Sequence, residues 1–218
     1  MPLIQQAGSI KLSEKSTMNK IALAPKNERK CIFIEAAKRA GFNNYIIEKN
    51  FWVFWVLERI FNDFSLSEIL CYKGDRSLSE AFGVIDRFSQ DIDLFFSMDN
   101  IVKHFKKIIN YSDAGQIGSD MEIKDWENNY IVLELFKDIR YLLANTCLIF
   151  PDLNNSHTFY IKYPQVFDYH LIKPEIKLEI KLLSLLPPND LFPISSFVEK
   201  ALPELNLKKP LVRMIKPE

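Results

Sequence analysis

The residues best suited to chemistry are two aspartates that stand two positions apart, Asp91 and Asp93. They open an apolar run, Asp91–Phe96, that predicts a strand, and residues two apart on a strand point to the same side. Two aligned carboxylates need a counter-charge at close range, and Mg²⁺ is the usual one for oxygen ligands. The pair therefore predicts a metal site, although a solvated strand end shows the same pattern.

A glycine turn precedes this pair. The apolar run Ile69–Tyr72 predicts a buried strand, Gly74 breaks it, and Ser77–Ile85 has the pattern of a helix. The first backbone N–H groups of a helix have no partner inside the helix, so they are suited to bind a phosphate. A phosphate site beside a metal site would support in-line phosphoryl transfer.

A third carboxylate, Glu179, lies in the segment with the clearest alternation in the chain, Glu175–Leu182. Its isoleucines and leucines would share one face of a strand, and its glutamates and lysines the other. On that polar face Glu179 could join Asp91 and Asp93 at a metal. The same spacing equally describes an ordinary half-exposed strand.

The remaining pattern predicts an α/β (α+β) chain in which helices come first and a mixed β-sheet follows. Residues 1–26 are expected to be a flexible tail, 27–64 a helical segment, 65–186 the sheet core and 187–218 a C-terminal extension. Helices are predicted over Asn27–Ala40, stopped by Gly41, and over Tyr45–Asp63, Ile101–Ile109 and Ser195–Ala201. Strands are predicted near Met121–Lys124 and over Ile131–Phe136 and Ile139–Phe150.

Composition limits the class of protein. The 218 residues carry 28 basic and 28 acidic side chains, so the strongly basic balance of many nucleic-acid binders is absent overall. The three cysteines, Cys31, Cys71 and Cys147, are far apart, which fits neither a disulfide framework nor a thiolate zinc site. Apolar runs are too short for a membrane span. These features together indicate a cytoplasmic protein.

Two other clusters have alternative interpretations. The aromatic side chains Phe51, Trp52, Phe54 and Trp55 could stack on bases, but such density on an amphipathic helix is more typical of a core. The predicted helix Ile101–Ile109 carries lysines at positions 103, 106 and 107. They could meet RNA phosphates, although a solvated helix surface is the commoner meaning of such a face.

Three segments in order resemble one family. Ile47–Phe61 resembles a helix that normally has Glu-Lys-Asp, an aromatic residue and Trp-Val. Lys73–Leu94 resembles the signature Lys-Gly-Gly-Thr-Ser-Leu-Ser-Lys, followed by Arg-Phe-Ser-x-Asp-Ile-Asp, and Lys173–Ile180 resembles a later Leu-Glu strand. The family is that of the AbiEii/AbiGii toxins of bacterial abortive-infection and toxin–antitoxin systems, which have a nucleotidyltransferase fold.

The resemblance implies a role for each matching residue. Asp91, Asp93 and Glu179 would form a catalytic, metal-binding triad for Mg²⁺. An NTP would be the substrate, with tRNA the expected acceptor and a cognate antitoxin the expected partner. The residues implied in nucleotide binding are Lys73, Gly74, Ser77, Arg87 and Ser89.

Departures from the family pattern support an alternative. Asp75 and Arg76 replace the second glycine and the threonine of the turn, Asn50 replaces an aspartate, and Leu183 stands where an arginine is usual. A carboxylate in a phosphate-binding turn is electrostatically unfavourable. Family members also continue into a helical half, and its absence would leave apolar surface for a homodimer. The alternative is a catalytically degenerate nucleotide-binding or protein-interaction module with the same fold.

Overall fold

The structure is a computed structural model that describes residues 17–63, 67–73, 91–97, 132–168 and 173–216. The order of elements along the chain begins with three helices. These are α1 (Thr17–Leu23), α2 (Lys26–Ala40) and α3 (Asn44–Asp63), and a 3₁₀ turn (Ser67–Ile69) leads from them to β1 (Leu70–Tyr72) and β2 (Asp91–Ser97). Then follow α4 (Val132–Leu143), β3 (Leu148–Pro151), β4 (Thr158–Lys162), β5 (Glu175–Leu183), β6 (Asn189–Pro193), α5 (Phe197–Ala201), a 3₁₀ turn (Pro203–Leu205) and β7 (Leu211–Ile215).

The strands form one mixed seven-stranded sheet in the order β3-β4-β5-β2-β1-β7-β6. At its centre, β2 runs parallel to β5 on one side and antiparallel to β1 on the other. On the far side of β1, β7 is parallel to it. The mixed sheet with flanking helices confirms the predicted α/β (α+β) class.

The core lies between the helices and one face of the sheet. Four aromatic side chains of α3 are at most 1% exposed, which confirms that the cluster Phe51, Trp52, Phe54 and Trp55 is core. The Trp52 ring stacks on Tyr163 at a centroid distance of 5.7 Å. Aromatic pairs in this geometry add to the free energy gained from burial alone.

The predicted helices α2, α3 and α5 and strands β1, β2 and β5 are confirmed within one or two residues at each end. Gly41 ends α2 with a φ of +71°, a conformation that glycine adopts without the cost of a Cβ. The Ser196 hydroxyl caps α5 by accepting the Glu199 N–H at 3.1 Å. The helices predicted over 77–85 and 101–109, and the strand near 121–124, lie outside the described residues.

One prediction is wrong in its element type. Most of 131–143 was expected to be strand, and the structure has α4 there instead, with a strand only from Leu148. Leu135, Ile139 and Leu143 are each at most 3% exposed and stand four residues apart. That spacing buries one face of a helix, so the helical period outweighs the β-forming residue types.

The two chain ends also differ from expectation. Within the expected flexible tail, Thr17–Leu23 forms α1, and its Met18, Ile21 and Ala22 side chains are buried in the core. The segment 187–218, expected to be an extension, instead supplies β6, α5 and β7, and Val212 and Met214 are fully buried. In the described part of the chain, no helix is both long and apolar enough to cross a membrane.

Candidate active site at the centre of the sheet

Two of the three predicted carboxylates face each other across the central parallel pair of strands. Asp93 on β2 lies in register with Glu179 on β5. Alternation along β2 buries Ile92 and Leu94 completely and turns the aspartates to the opposite face of the sheet. The same alternation in β5 buries Ile176, Leu178 and Ile180. The apolar residues of both strands thus hold the carboxylates on the face away from the core.

Two lysines of β5 supply positive charge to this pair. Lys181 Nζ lies 3.3 Å from Asp93 Oδ1 and 3.1 Å from Glu179 Oε2, so one ammonium group bridges both carboxylates. Lys177 Nζ binds the other oxygen of Glu179, Oε1. Asp93 and Glu179 therefore share the Lys181 ammonium group.

The electrostatics of the two carboxylates differ. Burial raises the pKa of the Asp93 carboxyl, the nearby Glu179 adds to that rise, and the hydrogen bond from Lys181 opposes it. The pKa of Glu179 is lowered, chiefly by its hydrogen bond from Lys177. Burial alone would lower the pKa of Lys181, but its hydrogen bonds to Glu179 and Asp93 raise it. Lys181 thus favours the charged form of each carboxylate, whereas burial and the neighbouring Glu179 disfavour the charged form of Asp93.

Lys73 lies directly beside this pair, at the end of β1. Its backbone N–H donates to the Asp93 carbonyl at 3.0 Å, which extends the strand pairing past Tyr72. Its Nζ lies 5.7 Å from the centroid of the Phe95 ring, and Lys181 Nζ lies 5.6 Å from the same centroid. Two ammonium groups therefore lie near one aromatic ring next to the carboxylates.

Asp91 stands at the beginning of β2 and is exposed. It lies in register with Lys177, not with Glu179. Within the described ranges, no three His, Cys, Asp or Glu side chains are grouped so that they could hold a metal ion. Two facing carboxylates supply the oxygen ligands that a divalent cation prefers, and Asp91 lies two residues before Asp93 on the same face of β2.

Four of the predicted nucleotide-binding residues, Gly74, Ser77, Arg87 and Ser89, lie outside the described residues, as do Asp75 and Arg76. Of the predicted set, the structure places Lys73, Asp93 and Glu179 in one row across three neighbouring strands. This row is the part of the predicted site whose geometry is defined.

Sequence reasoning placed Lys177 and Lys181 on the same face as Glu179 but gave neither of them a role in the site. It also missed Thr158 of β4, which lies in register with Glu179 on the other side. The Thr158 hydroxyl is buried and has no hydrogen-bond partner among the residues that the structure describes. A signal for β4 was available, because Thr158–Ile161 consists of residue types that favour strands.

The Glu-Lys-Asn segment of α3 connects the helix to the rest of the fold. The Glu48 carboxylate accepts backbone N–H groups of Val166 at 2.6 Å and of Phe167 at 3.4 Å. The Asn50 side-chain oxygen accepts the Phe197 N–H at 2.9 Å, at the beginning of α5. Glu48 and Asn50 therefore anchor two distant segments.

Lys49, between them, is 5% exposed and faces the start of the two central strands. Burial lowers the pKa of its ammonium group, and the negative charges of Asp91 and Glu175 oppose that shift. Asp91 and Glu175 are the first residues of β2 and β5. Lys49 thus balances part of the negative charge at the edge of the candidate site.

The chain is similar in sequence to a known protein family. The family model described as nucleotidyl transferase AbiEii toxin, type IV TA system, matches residues 55–218. No curated protein matches the chain.

One solved structure that the chain resembles is MenT4, a nucleotidyltransferase toxin from Mycobacterium tuberculosis H37Rv. The two chains are 13% identical, with a TM-score of 0.43 over 84% of this chain and 54% of MenT4. The chain thus spans about half the length of that toxin.

Proposed function

Because the chain belongs to the AbiEii family of nucleotidyltransferase toxins of type IV toxin–antitoxin systems, we propose that it transfers a nucleotide from an NTP to RNA. The expected acceptor is the 3′ end of tRNA, the expected cofactor is Mg²⁺, and the expected location is the cytoplasm. Membership of this family also implies a cognate antitoxin. The observation that carries the proposal is the opposition of Asp93 and Glu179 on the parallel strands β2 and β5, with Lys73 beside them.

Each residue of the site has a proposed part in the reaction. Asp93 and Glu179 hold the cation from two strands, and Asp91, two residues earlier on the same face of β2, adds a third oxygen ligand. A bound Mg²⁺ supplies charge that neutralises the phosphates and favours ionisation of the acceptor hydroxyl. Lys73 attracts the triphosphate. The nucleotide contacts proposed from the family pattern are Gly74, Ser77, Arg87 and Ser89.

A second candidate function is supported by a different observation. Lys177 and Lys181 already bind Glu179 and Asp93, and the described part of the chain has no ready group of three metal ligands. A catalytically degenerate nucleotide-binding or protein-interaction module would keep such internal ion pairs permanently. A homodimer is compatible with either function.

The experiment that tests the proposal is a transfer assay. Each of the four NTPs, radiolabelled on its α-phosphate, is incubated with total bacterial tRNA and Mg²⁺, and labelled RNA is measured. We expect wild-type protein to label RNA, and Asp93→Asn, which removes the charge but keeps the shape, to lower the rate by about a thousandfold or more.

Asp190→Asn is the matched control, because Asp190 lies on the edge strand β6, away from the candidate site, and forms an ion pair with the exposed Lys216. Its transfer rate should equal that of the wild type. Failure of folded wild-type protein to label RNA with any NTP would reject the transfer proposal. Equal loss of transfer in Asp190→Asn would mean that the assay reports folding and not the site.

A further inference from the structure

Lys181 is the one side chain described that binds both central carboxylates at once. Its Nζ is 3.3 Å from Asp93 Oδ1 and 3.1 Å from Glu179 Oε2. A divalent cation held by both carboxylates would need the same space and the same oxygen lone pairs. The ammonium group and the metal therefore cannot both occupy this position.

We propose that the Lys181 ammonium group neutralises the Asp93–Glu179 pair while no metal is bound. A divalent metal displaces this group, and the displaced group then contacts the phosphates of the nucleotide. The proposal rests on the proposed nucleotidyltransferase function and adds a residue that the family pattern did not indicate. It also explains how ion pairs within the site are compatible with catalysis.

The surroundings of Lys181 permit this exchange. Its side chain is 46% exposed, whereas those of Asp93 and Glu179 are 30% and 23% exposed. A half-exposed lysine forms weak ion pairs, because water screens the charges and holding a long side chain costs entropy. The carboxylates lose little freedom in exchanging it for a doubly charged ion.

The Phe95 ring offers a position that the displaced Lys181 ammonium group can keep. Lys181 is in register with Phe95, and its Nζ already lies 5.6 Å from the centroid of that ring. Lys73 Nζ lies 5.7 Å from the same centroid. A lysine that leaves the carboxylates but stays over Phe95 forms, with Lys73, a pair of cations beside the metal, where the phosphates of a metal-bound nucleotide would lie.

The test measures two affinities, for Mn²⁺ and for triphosphate, which we expect a substitution of Lys181 to change in opposite directions. Binding of Mn²⁺ alone is measured by electron paramagnetic resonance, and binding of inorganic triphosphate at saturating Mn²⁺ by calorimetry. Triphosphate serves as the probe because it has no base. We expect Lys181→Ala to tighten Mn²⁺ binding about tenfold, since the competitor is gone, and to weaken triphosphate binding about fivefold.

Two lysine variants serve as controls. Lys181→Arg keeps a cation and should bind Mn²⁺ within about twofold of the wild type. Lys209→Ala removes a lysine that is 3.9 Å from Glu199, outside the site, and should change neither affinity. Thermal unfolding of every variant shows that each is folded before its affinities are compared.

The outcomes are separable from those of the transfer assay. Unchanged or weaker Mn²⁺ binding in folded Lys181→Ala would overturn the displacement, and unchanged or tighter triphosphate binding would overturn the phosphate contact, even if wild-type protein transfers nucleotides. Opposite shifts in a protein that labels no RNA would support the exchange and reject transfer. Absence of Mn²⁺ binding in both wild type and Lys181→Ala would reject the exchange together with the metal site.

Discussion

The surroundings of Glu48 strongly change the pKa of its carboxyl group. The residue is 2% exposed, and burial raises the pKa of its carboxyl to about 7. The Val166 and Phe167 N–H groups and the charge of Arg29 oppose that rise without cancelling it. Glu48 therefore stabilises the fold best when it is protonated.

A dependence of stability on pH follows. In the unfolded chain the pKa of a glutamate is about 4.3. Between about pH 4.3 and pH 7 the folded protein therefore holds the Glu48 proton more tightly than the unfolded chain does. The free energy of unfolding should fall as the pH rises through this range and change no further above it. In urea unfolding, the contribution of Glu48 to the free energy of unfolding should be about 2 kcal/mol smaller at about pH 8 than at about pH 5.

Glu48→Gln tests the assignment, because it keeps one acceptor oxygen and cannot ionise. The difference in unfolding free energy between the two pH values should shrink by about 2 kcal/mol in this variant. Glu28→Gln, on the exposed first turn of α2, should leave the difference as in the wild type. Identical pH profiles for wild type and Glu48→Gln would show that another group titrates.

The residues of the candidate site were predictable in part. A strand has a period of two, so the faces of Asp91, Asp93 and Glu179 follow from local sequence. Register does not follow from it, because a parallel pair joined by a long connection has no turn to set the alignment. That Asp93 and not Asp91 faces Glu179, with Lys181 between the carboxylates, was therefore visible only in the structure.

At the scale of elements, Asn50 links two helices. Its side-chain oxygen on α3 accepts the Phe197 N–H, a group at the beginning of α5 that has no partner inside that helix. The aspartate usual in the family has the same acceptor oxygen. The replacement by asparagine thus retains this contact, and the departure gives no reason to expect a different fold.

Asn50→Ala should lower the free energy of unfolding by about 2 kcal/mol, because it leaves a part-buried backbone donor without its acceptor. Asn50→Asp keeps the acceptor and should be less destabilising than Asn50→Ala. Chemical denaturation of both variants measures the difference. If the two substitutions are equally destabilising, the hydrogen bond to α5 is not what Asn50 contributes.

The elements that sequence reasoning identified are those with strong periodicity or clear stop signals. In α2 the stop is Gly41, and in β5 polar and apolar residues alternate from Glu175 to Leu182. The prediction failed at α4, whose branched and aromatic residues favour strands while their spacing favours a helix. It also missed the short strands β4, β6 and β7. Strand β6, Asn189–Pro193, includes Asn, Asp and Pro, which are rare in strands, and it forms by pairing with β7.

At the scale of the whole molecule, the C-terminal elements β6, α5 and β7 belong to the fold, and β7 contributes buried side chains to its core. Met214 of β7 is fully buried and lies in register with Tyr72 of β1. We expect Met214→Ala to lower the free energy of unfolding by about 2–5 kcal/mol, the usual cost of a cavity at such a position. Measured unfolding curves in urea would give this value.

Leu211→Ala, in the same strand, is the matched control. Leu211 is 50% exposed, so its truncation should cost about 0.5 kcal/mol or less. Similar losses for both variants would contradict the buried position of β7 beside β1.

The contact between Lys181 and Asp93 joins residues 88 positions apart in the chain. During synthesis, β2 is made long before β5, so the carboxylates cannot meet until that later strand has left the ribosome and paired. Until then a nascent chain carries only the β2 half of the pair. The proposed chemistry would therefore begin only after β5 has left the ribosome and paired with β2.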